Sequence, residues 1–175
     1  MPRMSVAWSE KQRLDVSRIP LLKRIPINWV AALYAGVAAG IIATMAQIIL
    51  WWIFFDSLPG IMFRDARLAA AIILGKEILP MQVAFDWPSM IVASMIHFTL
   101  SVIYSMILAG FIVRRSFGVS IFIGLEFGFI LFGINMYGFT LVFPWFEEAR
   151  DWITLVAHVV FGVVAAAVYR VLSER

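Results

Sequence analysis

Residues 29–55 read WVAALYAGVAAGIIATMAQIILWWIFF, an apolar run without one Asp, Glu, Lys or Arg. A helix that crosses a membrane needs about 20 such residues, so this stretch sets the class of fold. Working outward, residues 90–113, 119–143 and 152–172 qualify on the same ground. Pro26 precedes the first run, Trp87-Pro88-Ser89 offers an N-cap to the second, Pro144 stops the third, and Asp151 suits the dipole at the start of the fourth. The first run is not a cleavable leader, because a long polar segment precedes it and it is longer than such leaders allow.

The whole chain agrees: 175 residues, 63% hydrophobic, 14% charged, mean hydropathy +0.94. A soluble domain is about half apolar and a quarter charged. With no Cys, disulfides, thiolate zinc sites and cysteine catalysis are excluded, and two histidines remain for a metal or haem. The chain is too short for secondary transporters with five or more helices per repeat. The predicted fold is an all-α integral membrane bundle of four spans in two tandem hairpins, forming one domain over residues 29–172.

Charge gives an orientation. Arg3, Lys11, Arg13, Arg18, Lys23 and Arg24 lie in the N-terminal segment 1–28, Arg114 and Arg115 in the turn between the second and third spans, and Arg170 and Arg175 at the C-terminal end, where 173–175 form a tail. The other side carries Asp56, Asp65, Glu77, Asp86, Glu147, Glu148 and Asp151, with only Arg64, Arg67, Lys76 and Arg150. The positive-inside rule predicts a multi-pass protein of the bacterial inner membrane with both termini cytoplasmic. Basic residues beside membrane helices argue against nucleic acid. In the outer loop 56–89, residues 68–79 are too short to cross and read as an interfacial or re-entrant helix closed by Pro80. Residues 5–16 have the pattern of a short surface helix carrying Trp8 and Leu14.

The first span carries Gly36, Gly40, Thr44, Gln47 and Trp51; the third repeats the spacing with Gly124, Gly128, Phe132, Asn135 and Phe139. Each set keeps to one helical face. The second and fourth spans each hold one histidine, His97 beside Ser94, Ser101 and Tyr104, and His158 beside Thr154, Gly162, Ala165 and Tyr169. The pattern reads as an internal repeat with its axis along the membrane normal. Gly36, Gly40, Gly124, Gly128 and Gly162 are expected to bring helix backbones together.

Gln47, His97, Asn135 and His158 lie roughly 10–12 Å from the outer ends of their helices at 1.5 Å per residue. One polar side chain per helix at one depth predicts an intramembrane layer facing the bundle interior, since a polar group in hydrocarbon is costly. The plain reading is a hydrogen-bonded layer that fixes register. The alternative is a b-type haem held between His97 and His158 on diagonal helices. A copper site using Met45, Met95 or Met136 is weaker, because Met is the usual filler of apolar cores.

Glu126 is the one carboxylate well inside a span, about two turns from the cytoplasmic end. It lies about 200° from Gly124 on the wheel and so points away from the polar layer. It then snorkels toward Arg114 or Arg115, is protonated, or meets a partner helix.

The residues Leu79-Pro80, Phe85-Asp86, His97-Phe98, Leu100-Ser101, Tyr104, Asn135-Met136-Tyr137-Gly138-Phe139-Thr140, Val142-Phe143-Pro144-Trp145-Phe146, Ala149-Arg150, Ala157-His158 and Phe161-Gly162 carry a family likeness. From Arg67 to Tyr169 the chain resembles a group of small proteobacterial four-helix inner-membrane proteins often labelled sodium:proline symporter. The resemblance implies that Asn135, Tyr137, Phe143, Pro144, Trp145 and Arg150 form the outer rim of the bundle.

No nucleophile paired with a base, phosphate loop, carboxylate dyad or zinc spacing is present in the sequence. The expectation is a non-catalytic membrane protein without cofactor, in contact with the bilayer and with other membrane subunits or further copies of itself. A bis-His cytochrome and a small transporter or channel are the alternatives.

Overall fold

The computed structural model describes residues 26–55, 57–80, 83–174; the expected helix at 5–16 and most of the basic N-terminal segment lie outside them. The described residues are helical, with no strand. Four helices are long and apolar enough to cross a membrane: α1 (Trp29–Phe54), α3 (Trp87–Ile112), a third span over Phe117–Leu141 that begins as α4 (Phe117–Gly133), and α5 (Trp152–Ser173). A shorter helix, α2 (Gly60–Leu74), fills the loop between α1 and α3. The chain is therefore an all-α membrane protein with a four-helix bundle.

Local chemistry fixes the ends. The Asn28 side chain accepts from the Ala31 N–H at 3.0 Å, and Asp151 accepts from the Thr154 N–H at 2.7 Å, so α1 and α5 start on N-caps. The second span starts earlier than the expected residue 90: Asp86 is its cap, accepting from the Ser89 N–H at 2.9 Å, and Pro88 sits in the first turn, where a missing N–H costs nothing. The outer-loop helix also starts earlier, at Gly60 rather than residue 68, and stops at Gly75, whose φ of 93° suits glycine. A short 3-10 turn, Lys76–Ile78, follows it.

The third span departs most from expectation. Its α-geometry ends at Gly133, passes into a π-turn over Ile134–Gly138, and closes in a 3-10 turn at Phe139–Leu141. Irregular backbone at membrane depth is tolerated where protein or a cavity satisfies it, and single π-turns gather at functional positions.

The interior is built from small residues and the surface from large ones. Ala31, Ala32, Ala35, Ala39 and Ala43 on α1 and Ala165 and Ala166 on α5 are buried, whereas Trp52, Met95, Phe122 and Ile130 are exposed. In lipid this is the expected order, because close backbone packing replaces the hydrophobic drive. A Cβ on Gly36 would stand 2.7 Å from the Ser101 carbonyl oxygen, and one on Gly128 would stand 2.5 Å from that of His158. Gly124 and Gly162 face each other's backbones just as closely, and Gly40 abuts the Ser101 hydroxyl. Helix α5 packs along both α1 and α4, and α1 along α3; α3 and α4 meet only lightly, so the bundle is loosest on that side.

Candidate functional site

The four amide and imidazole residues converge. Gln47 from α1, His97 from α3, Asn135 from the π-turn and His158 from α5 line one cavity of about 150 Å³, together with Thr44, Ser101 and Tyr104. The Tyr104 hydroxyl donates to Asn135 Oδ1 at 2.8 Å, and the Asn135 amide reaches His158 Nε2 at 3.1 Å. His158 Nδ1 lies 2.7 Å from the Thr154 carbonyl, and the Gln47 amide donates to the Thr154 hydroxyl at 3.3 Å. Thr154 thereby joins α1 to α5; its only sequence signal was its position one turn before His158.

Carbonyl oxygens fix the ring protons, since a carbonyl can only accept. His158 carries its proton on Nδ1, toward Thr154, and receives the Asn135 N–H on Nε2. His97 has the opposite arrangement: Nε2 is 3.3 Å from both the Gly40 carbonyl and the Thr44 hydroxyl, so Nε2 carries the proton and Nδ1 is left as an acceptor. His97 is exposed rather than buried, and it borders three cavities.

The same geometry bears on the haem alternative. His158 Nε2, the lone pair that would bind iron, is held by Asn135, and His97 Nε2 faces protein oxygen. The cavity between them has room for about five waters, far less than a porphyrin. The residues as placed do not fit a haem. Among the described residues, no group of three or more His, Asp and Glu side chains could hold a metal ion. Met45 and Met95 are exposed and Met136 is buried, so the three candidate copper thioethers do not share one environment.

Arg150 does what a rim position alone did not foretell. Its Nε donates to the Met136 carbonyl at 2.9 Å and its Nη2 to the Thr140 hydroxyl at 3.2 Å, and its guanidinium stacks 4.1 Å above the Tyr137 ring. A π-turn frees carbonyls from the α-ladder, and this arginine takes one of them. Asn135 is thus held in a turn that Arg150 clamps. Around it, Trp145 donates to the Leu68 carbonyl at 3.0 Å, and Leu68, Met136 and Ala149 form a small second core that seats α2.

Two carboxylates outside the spans are perturbed. Burial pushes Asp65 up to about 6, even though Arg64 contacts it at 2.7 Å, and the neighbouring charges of Asp151 and Glu148 add to the rise. Asp86 is held low by hydrogen bonds from the Ser89 side chain and N–H. Glu126 is exposed on α4, away from the cavity and without an ion pair among the described residues. A comparison with known protein families, curated proteins and solved structures finds no match for the chain.

Proposed function

We propose that this chain is a non-catalytic integral protein of the bacterial inner membrane that serves as an accessory or assembly subunit of a larger membrane complex. The observation that carries the reading is Glu126. It lies roughly 13 Å along α4 from the first residue, in a hydrocarbon layer about 30 Å thick, and it faces outward between Phe122, Phe129 and Ile130. A carboxyl in that position is costly unless another group meets it. One turn beyond Ile130, Gly133 leaves open space where a neighbouring helix can approach.

The charge pattern selects the partner. The four spans contain no lysine, and their only arginine, Arg170, lies near the end of α5. A second copy therefore offers no cation at the depth of Glu126. The complement is a helix of a different protein with Lys, Arg or a strong hydrogen-bond donor at that height. Tandem inside-starting hairpins with cytoplasmic termini are part of the same proposal; the matching approaches of Gly36 to Ser101 and Gly124 to Gly162 support the repeat, and the placement of Arg114, Arg115 and Arg170 supports the sidedness.

Gentle-detergent purification from the native host, followed by native mass spectrometry, tests the reading. The expected result is a co-purifying membrane protein that is retained with Glu126→Gln and lost with Glu126→Leu, while the chain itself stays folded. A chain that isolates alone, or a partner recovered equally with Glu126→Leu, would overturn it.

A further inference from the structure

His97 joins three cavities that belong to no packing role. The inner one is the polar cavity already described; the second, about 380 Å³, lies between α1, α2 and α3 and includes Asp65, Ser94 and Trp51; the third, about 160 Å³, runs beside the π-turn past Asn135. Beyond Ser101 and Tyr104 the opposite half of the bundle is closed: Ser105 donates to the Ala32 carbonyl at 2.8 Å, and Leu108, Ile112 and Tyr169 are fully buried. The hollow is therefore closed at that end, and α2 borders two of its three cavities.

Its walls hold more hydrogen-bonding capacity than the protein uses. The Ser101 hydroxyl makes no hydrogen bond among the described residues, and the Trp51 indole N–H, though buried, has no acceptor there. His97 Nδ1 is bare once Nε2 is committed to Gly40. The inner cavity has no charged lining residue, so an ion would be left uncompensated, whereas an apolar guest there would strand the Ser101 hydroxyl and the polar edge of His97. The volume suits about five waters or one molecule of a few heavy atoms.

We propose that the α2-covered half of the bundle is a hydrated vestibule whose inner cavity, between Gln47, Ser101, Asn135 and the two histidines, binds a small uncharged solute that both donates and accepts hydrogen bonds. This goes beyond the subunit reading and stands whether or not Glu126 has a partner.

The chain has no cysteine, so a single introduced thiol reports on one place. Ser101→Cys in the inner cavity, Ser94→Cys in the outer one and Ser105→Cys in the closed half are each reconstituted in liposomes and treated with methyl methanethiosulfonate, which reacts with the thiolate and so reads hydration. Ser101→Cys and Ser94→Cys are expected to react at least roughly an order of magnitude faster than Ser105→Cys, which must wait for local opening. Acetamide, the probe solute, is expected to slow Ser101→Cys and to leave Ser94→Cys much less affected. A Ser101→Cys thiol as inert as Ser105→Cys would mean a dry cavity. Labelling that acetamide does not slow, or slows equally at both positions, would mean water without a solute site; either result overturns the proposal. If Ser101→Cys fails to fold against Gly40, Ala157→Cys, on α5 and lining the inner cavity alone, carries the same expectations.

Discussion

Asn135 Nδ2 stands 3.1 Å from His158 Nε2, and this contact couples the π-turn of the third span to α5. Asn135 is also the acceptor for Tyr104, so one amide joins α3, the π-turn and α5. Replacing Asn135 with Leu leaves the Tyr104 hydroxyl and the His158 lone pair without partners. Each lost intramembrane contact costs about 0.6 to 2 kcal/mol, so thermal unfolding in detergent should fall measurably in Asn135→Leu, and less in Tyr104→Phe, which removes only one bond.

The two imidazoles predict a colourless protein. Expressed under haem-replete conditions and purified, it should show no Soret band, because His158 Nε2 is occupied by Asn135 and the cavity is too small. A sharp band lost in both His97→Ala and His158→Ala would restore the haem alternative.

Gly128→Ala should be among the most damaging single methyl additions. The new Cβ would meet the His158 carbonyl oxygen at 2.5 Å and the Val159 Cα at 2.6 Å, backbone atoms that cannot yield without moving α4 off α5. Gly110 on α3 faces open space, so Gly110→Ala should be neutral or stabilising by up to about 1 kcal/mol through helix propensity. Paired melting curves of the two variants check the contrast.

Arg150→Ala should loosen the π-turn, leaving the Met136 carbonyl and the Thr140 hydroxyl without this donor, at about 1–3 kcal/mol. Arg150→Lys should not rescue it, since an ammonium cannot span both acceptors and stack on Tyr137 with the same geometry. The ring-nitrogen NMR resonances of His158 should shift in both variants, because Asn135 moves with the turn.

Stability should fall as pH rises from about 4 through 6. The Asp65 carboxyl, at about 6 in the folded chain against about 3.9 unfolded, binds its proton more tightly when folded. Its contribution is full below the unfolded value and is lost as pH climbs through the folded one, with an upper size of about 3 kcal/mol. Asp65→Asn should flatten that slope. Asp86, held low, acts in the opposite sense and in a more acidic window, its support disappearing only as pH falls below about 4.

Hydropathy alone determined the membrane class and the four spans of this protein, because apolar length is a local property that the bilayer reads directly. Helical periodicity predicted one depth for Gln47, His97, Asn135 and His158, which line one cavity, and an outward Glu126, which is exposed, because rise and rotation per residue are fixed. Tertiary structure decided the rest. The early start of α3 depends on an Asp86 cap rather than on apolar pattern, and α2 begins directly after Pro59. The π-turn at Ile134–Gly138 is braced by Arg150, fourteen residues beyond Met136, to whose carbonyl it donates together with the Thr140 hydroxyl. The opposite tautomers of the two histidines follow from which carbonyl each ring meets, Gly40 across the hairpin for one and Thr154 on its own helix for the other. Such donors and acceptors are matched in space, and spacing along a chain does not encode them.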